Sequence, residues 1–294
     1  MKVLLLNPFH SGSHAQWAEN LVKHSRHDIL LWTLRGKYWK WRMHGASVSF
    51  AERFNKEKPD VDLVLATDMM DLGLFAALCR MHLMDTKLAV YFHENQLVYP
   101  WQTEAEDVKK GRDMHYAFIN YSSALVADKV WFNSDYHRNA FIDELKPFLN
   151  VYPDEKNLDT IQRIREKSET LYLGVDLHAL DRHKDVKANV PTFLWNHRHE
   201  HDKNPELFFH TLMDLSREGF DFDLIVLGES YKNTPEVFNK AKVSLDKHKV
   251  HWGYVEQELY HQLLWKATHI PVTSYHDFFG QSLVEAVYCD VQPI

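Results

Sequence analysis

An α/β protein of two doubly wound domains is what this sequence predicts, and three observations carry the prediction. Short apolar runs alternate with longer stretches of helical spacing along the whole chain. The runs are continuous rather than alternating, as expected of parallel strands covered on both faces. The 294 residues, 45% of them hydrophobic, are enough for two domains with separate cores.

The first domain is expected over residues 1–180. Runs at 3–6, 29–33, 62–66, 88–91 and 130–132 read as buried strands. Between them, residues 13–23, 47–55, 72–84 and 103–125 carry helical spacing. "TEAE" at 103–106 reads as a capping box, and Ser134 as the cap of the helix that opens "SDYHRNAF". Residues 146–167 read as a charged helical connection, and "ETLYLGVDL" at 169–177 as a strand and a glycine turn. The polar stretch "HALDRHKDVKANVP" reads as a linker.

A second α/β series then occupies residues 181–294. Strands are expected at 192–195, 222–227, 250–252 and 270–273, alternating with helices at 206–217, 235–242, 257–266 and 280–287. Asn204 before Pro205 is a cap with a first-turn proline, and Thr234 before Pro235 repeats the device. The sequence stops at "YCDVQPI", where a further strand is due. With four clear strands, this domain is expected to be incomplete.

Bulk composition narrows the function classes. Charged residues make up 26% and the net charge is -7, so no global basic field for nucleic acid exists, although a local patch is allowed. Twenty histidines and 13 tyrosines suit a wet, polar cleft. Cys79 and Cys289 sit in apolar helical patterns and read as buried, reduced thiols. Four consecutive apolar residues at 3–6 are too few for a signal core or a membrane span, so a cytoplasmic protein without stable membrane association is expected.

The stretch "NHRHEHDKNPE", 196–206, follows a strand and precedes a helix, where doubly wound domains bind ligands. His197, His199 and His201 alternate and would share a side of an extended loop, but a zinc site would need a fourth ligand and other spacing. They read as solvated loop histidines, and no metal site is expected. Arg198 and Lys203 beside a helix N-terminus suit a diphosphate. "HDFFGQSLVEAVYC", 276–289, places Asp277 in a loop, Gly280 at a helix start and Glu285 eight residues after Asp277. Such carboxylates accept hydrogen bonds from sugar hydroxyls. Free N–H groups at the helix start face an anion.

Arg198 with Lys203, then an acidic residue, Phe-Gly and a glutamate eight residues on resemble the donor site of the family 4 retaining glycosyltransferases. That family has the GT-B architecture, two Rossmann-like domains facing across a cleft. "LGVDL", "FNSDYHR", "YFHENQ" and the N-terminal loop "PFHSGSH" also resemble its elements, in its order, over nearly the whole chain. "FHENQLVYP", "FNSDYHRNAF", "WNHRHEHDKNPE" and "FGQSLVEAVYC" are similar to the tRNA-queuosine α-mannosyltransferase group. Asp277 stands where the family usually has glutamate, one methylene longer.

This resemblance implies a retaining, metal-independent hexosyltransferase with no cofactor, moving mannose from GDP-mannose onto queuosine in a tRNA anticodon. It implies that Arg198 and Lys203 neutralise the diphosphate, helped by N–H groups around Gly280, Gln281 and Ser282. Asn196 would line the donor site, Glu285 would hold the ribose and Asp277 a sugar hydroxyl. His93 would orient the sugar, and Gly12 and Ser13 would let the N-terminal loop approach it.

For tRNA, "LRGKYWKWRMHG" at 34–45 interleaves Arg35, Lys37, Lys40 and Arg42 with Trp39 and Trp41, cations for phosphates and rings for unpaired bases. Glu94, Asn95 and Trp101 are further acceptor-side candidates. Two other readings remain open: a family 4 enzyme acting on a lipid, polysaccharide or small molecule, and a non-catalytic nucleotide-sugar or RNA-binding protein of the same fold. A membrane-acting enzyme should carry a basic amphipathic helix. Residues 13–23 are not strongly basic, and 34–45 contain Gly36 and form no clean helix.

Overall fold

A computed structural model describes residues 1–83, 85–100, 109, 113–187, 189–230 and 234–294. The chain divides into two compact units, Met1–Gly174 and Val175–Ile294. The division falls slightly ahead of residue 180, where the sequence reading puts it. The reason is the start of the polar "linker". Residues Leu177–His183 form a 3-10 helix whose Leu180 packs in the second unit's core and accepts a hydrogen bond from Trp265 Nε1 at 2.8 Å.

The first unit is a six-stranded parallel sheet. Its strands are β1 (Lys2–His10), β2 (Asp28–Arg35), β3 (Leu63–Thr67), β4 (Lys87–Phe92), β5 (Lys129–Phe132) and β6 (Ser168–Thr170), in the order β2-β1-β3-β4-β5-β6. Period-two alternation sends Leu4, Leu6, Val64, Ala66, Val90 and Phe132 to one core and Val3, Leu5, Leu63, Leu65, Ala89 and Tyr91 to the other. Both faces are thus apolar, which explains the unbroken runs. Helices α1 (Gly12–His24), α2 (Trp39–Glu57), α3 (Leu72–Cys79), α4 (Asp113–Val126), α5 (Asp135–Asn150) and α6 (Asp159–Glu166) connect or flank the strands.

The second unit has a five-stranded sheet in the order β11-β10-β7-β8-β9. The strands are β7 (Thr192–Asn196), β8 (Asp223–Leu227), β9 (Lys249–Trp252), β10 (His269–Ile270) and β11 (Gln292–Pro293). All described pairings are parallel. Leu194, Ile225 and Ile270 face one core; Trp195, Leu224 and Val226 face the other with Phe208, Phe209 and Phe238. The helices are α7 (Pro205–Arg217), α8 (Val237–Ser244), α9 (Gln257–Lys266) and α10 (Gln281–Tyr288).

Several expectations need correction. The second sheet has five strands rather than four, because β11 forms within "YCDVQPI", where the sequence puts a further strand. Strand β10 ends at Ile270 rather than 273. Helix α2 begins at Trp39, eight residues before the expected start, and so runs through Gly45. Its cap is Tyr38, in the left-handed region at φ 58° with no side-chain cap hydrogen bond, so the usual start signal is missing. The charged connection at 146–167 is the end of α5, a turn and α6 rather than one helix. Ser134 and Asn204 cap as expected, accepting from His137 N at 3.0 Å and Leu207 N at 3.4 Å. The N-cap position of α8 is held by Glu236 rather than Thr234. The "TEAE" box lies outside the described residues. Cys79 and Cys289 are free and buried.

Candidate functional site

In an open parallel sheet, ligands bind outside the carboxyl ends of strands where the strand order reverses. The second unit reverses between β7 and β10. The loops that leave these strands are 197–204 and 271–280, the two stretches singled out in the sequence.

Asn196 ends β7 and is buried. Its Nδ2 donates to the Tyr260 hydroxyl at 2.9 Å and to the Ser282 carbonyl at 3.3 Å. Tyr260 in turn donates to Glu285 Oε2, and Gln281 Nε2 donates to Oε1 at 2.9 Å. Burial pushes the Glu285 carboxyl above its ordinary value, against these two hydrogen bonds. Each oxygen of an ionised carboxylate accepts more than one hydrogen bond, so Glu285 keeps capacity for a vicinal diol. Gly280 precedes α10 at φ 71°, a conformation that favours glycine.

His197 and His199 make their contacts in different places. His197 Nδ1 lies 3.1 Å from Ser282 Oγ. Burial, then the Lys203 charge, lowers its pKa to about 4, so it is neutral at physiological pH. His199 is not solvated as expected: it is buried, stacked on Phe238 at 4.1 Å, with Nε2 3.1 Å from the Leu227 carbonyl. The loop is held tightly against Gly228, where a Cβ would lie 2.1 Å from the His197 oxygen.

The two cations of this loop differ. Lys203 is buried, with Nζ 3.2 Å from Asp277, 3.3 Å from Asp202 and 3.4 Å from the His276 carbonyl. Arg198 is 52% exposed and pairs with Glu200 at 3.1 Å. Lys203 with Asp277 forms one set of contacts and Asn196, Ser282, Glu285 and Gln281 a second, whereas Arg198 lies on the exposed side of the loop. Tyr260 was missed by the sequence reading, since a tyrosine on a helix carries no local signal.

The first unit reverses between β1 and β3. Gly12 and Ser13 open α1 after β1 and are exposed. His93 follows β4. Its ring packs on Trp17 (4.6 Å), His14 (4.5 Å) and Tyr91 (4.9 Å), and its Nδ1 lies 3.2 Å from Asp68 Oδ1. Asp68 follows β3 and was also missed; a polar residue directly after a buried strand was its only signal. No metal ligands were expected, yet His14, Asp68 and His93 bring ligand atoms within 4.8 Å of one another. Asn95 is fully buried and its Oδ1 accepts from Leu97 N and Val98 N, while Glu94 accepts from Gln96 Nε2 at 3.2 Å.

The basic stretch straddles the start of α2. Arg35, Lys37 and Lys40 are exposed. Arg42 Nε and NH2 donate to the Arg35 carbonyl at 3.3 Å. Trp39 is half-buried against Tyr116, while Trp41 is 64% exposed. The Trp41 ring lies so close to Gly45 that a Cβ there would meet it at 2.7 Å. Trp101 lies outside the described residues.

Comparison with known proteins adds three findings. The family described as "tRNA-queuosine alpha-mannosyltransferase N-terminal" matches residues 2–175. A tRNA-queuosine alpha-mannosyltransferase from Drosophila melanogaster is 34% identical over 302 residues, covering 99% of this chain and 78% of that protein. Among solved structures, Anabaena Alr3699/HepE in complex with UDP superposes with a TM-score of 0.65 at 14% identity, over 100% of this chain and 80% of that one. Sucrose-phosphate synthase from Thermosynechococcus elongatus gives 0.64 at 14% identity and the same coverage. At such identities these two structures speak for the fold, which is GT-B. No helix among the described residues is long and apolar enough to cross a membrane.

Proposed function

The chain belongs to the tRNA-queuosine alpha-mannosyltransferase family and is a glycosyltransferase, and from that premise we propose that it moves mannose from GDP-mannose to queuosine in a tRNA anticodon, with retention and without a metal. The observation that carries the donor half is the convergence of Asn196, Lys203, Ser282 and Glu285 at the reversal point of the second sheet. One buried cation, one helix N-terminus and one half-buried carboxylate are what a nucleoside diphosphate needs.

In this reading the N–H groups of Gln281 and Ser282, at the start of α10, face the diphosphate. Lys203 exchanges part of its contact with Asp277 for a phosphate oxygen, and Asp277 is released toward a sugar hydroxyl. Arg198 swings in from the exposed side of its loop. Together they stabilise the nucleotide as negative charge builds on it in the transition state. Glu285, held by Tyr260 and Gln281, accepts the ribose hydroxyls. The departing phosphate accepts the proton of the attacking hydroxyl, so no side-chain base is required.

On the first unit, His93 orients the transferred sugar, with Gly12 and Ser13 leaving room for it. The start of α2 contacts tRNA: Arg35, Lys37 and Lys40 meet phosphates and Trp41 stacks on an unpaired base. Glu94, Asn95 and Trp101 complete the acceptor side, Asn95 through the loop it holds. The chain works in the cytoplasm, where charged tRNA and reduced thiols are found.

A transfer assay tests this. The protein is incubated with queuosine-containing tRNA and either GDP-mannose or UDP-sugars, and digested nucleosides are analysed by mass spectrometry. A hexose on queuosine from GDP-mannose alone is the expected result. Transfer from a UDP-sugar instead overturns the donor; no transfer from any donor overturns the acceptor.

A further inference from the structure

We propose that Asp68 is a positioning residue for His93, fixing the ring's tautomer so that Nε2 presents a lone pair to a hydroxyl of the substrate. The inference rests on the reading of His93 as a sugar-orienting residue and adds how the fold prepares it.

The topology brings the parts together. β3, β4 and β5 are adjacent and parallel, with Thr67 paired to Tyr91 and Phe92 to Phe132. The residues just after them, Asp68, His93 and Asn133, therefore emerge side by side. Asp68 Oδ1 accepts from the His93 backbone N–H at 3.0 Å and faces its Nδ1 at 3.2 Å. Asn133 Nδ2 donates to the His93 carbonyl at 2.9 Å, and Asn133 Oδ1 lies 2.7 Å from Nδ1 of buried His137. Asn120 Nδ2 holds the Asp68 carbonyl at 3.0 Å. Backbone and ring of His93 are thus gripped from the ends of the two neighbouring strands.

An ionised carboxylate only accepts hydrogen bonds, so the proton of a neutral His93 sits on Nδ1. Nε2 is buried and has no hydrogen-bond partner among the described residues. Such a group in a packed site requires an explanation, and a substrate hydroxyl supplies one. The side chain of His93 is 8% exposed and that of Asp68 2%. Burial alone would raise the Asp68 carboxyl. The hydrogen bond from the His93 ring, the charges of His93 and His14 and the His93 amide overcome this and hold it below its ordinary value. Asp68, His14 and Tyr91 are the titratable groups in contact with the ring.

Asp68→Asn tests the assignment, because an amide can donate to Nδ1 and move the proton to Nε2. The expected loss is about 10²-fold in kcat, with donor KM little changed. His93→Ala and the double variant complete a cycle: Asp68→Asn should add nothing in the absence of the ring, whereas a purely structural role would add its full cost. Heteronuclear NMR of isotope-labelled histidine reads the tautomer without any assay. Protonated Nδ1 and bare Nε2 in the wild type support the inference even if no transfer to tRNA is found, in which case it is the functional reading that fails. Protonated Nε2 in the wild type overturns the inference. So does one equivalent of tightly bound metal lost in Asp68→Asn, since a metal on these atoms would displace the Nδ1 proton.

Discussion

A buried ammonium at Lys203 faces Asp202 and Asp277, whereas the guanidinium of Arg198 sits 52% exposed beside Glu200. The two cations resemble each other in sequence and differ in energetics. Removing one partner of a buried pair strands the other charges without solvent, but an exposed pair contributes little. Lys203→Ala should therefore cost stability as well as activity. The cost should be about 2–3 kcal/mol, at or below the usual range for buried pairs, because Asp277 keeps 37% of its side chain exposed. Arg198→Ala should lower kcat/KM by about 10²-fold with an unchanged denaturation midpoint. Urea titration beside steady-state kinetics separates the two; an Arg198 variant with full turnover removes that residue from the clamp.

At the scale of elements, α2 shows how packing overrides a local signal. An interior glycine costs helix stability, yet α2 runs through Gly45. In the folded chain the Trp41 ring occupies the space that a Cβ at Gly45 would need, and the exposed indole is held on the helix surface. If this end of α2 is the tRNA surface, Lys37→Ala and Lys40→Ala should each reduce the slope of log K against log salt by about 0.7–0.9. Trp41→Ala should weaken binding by about 1–3 kcal/mol. Arg42 is a poorer test, because its guanidinium holds the Arg35 carbonyl. Binding measured across a salt series decides the matter: an unaltered slope in both lysine variants places tRNA elsewhere.

For the molecule as a whole, two units with separate cores each offer a reversal point, and the features proposed for the donor lie on the second. A ligand that binds only the folded state stabilises it by mass action, about 2.7 kcal/mol at a hundredfold excess over Kd. GDP should raise the melting temperature at concentrations where UDP does not. Equal shifts would leave the guanine preference unsupported. The α/β class, the strand and helix alternation and the two loops at the reversal point of the second sheet were legible because burial on both sheet faces writes itself as continuous apolar runs. The start of α2 and the 3-10 helix at Leu177–His183 were not, since an uncapped helix start and a polar helical turn leave no such pattern.

What the sequence determined by itself is local: which segments are strands and helices, which loops end them and which chemistry those loops carry, Lys203, Asp277 and Glu285 included. Tertiary structure alone decided the partners. It joined Lys203 to carboxylates one and 74 residues away, Glu285 to Tyr260, and Asp68 to His93 across neighbouring strand ends. The physical reason is that periodicity records which face of the chain is buried, whereas charge balance, tautomer and hydrogen-bond satisfaction depend on distances that exist only once parallel strands have brought remote loops to one edge.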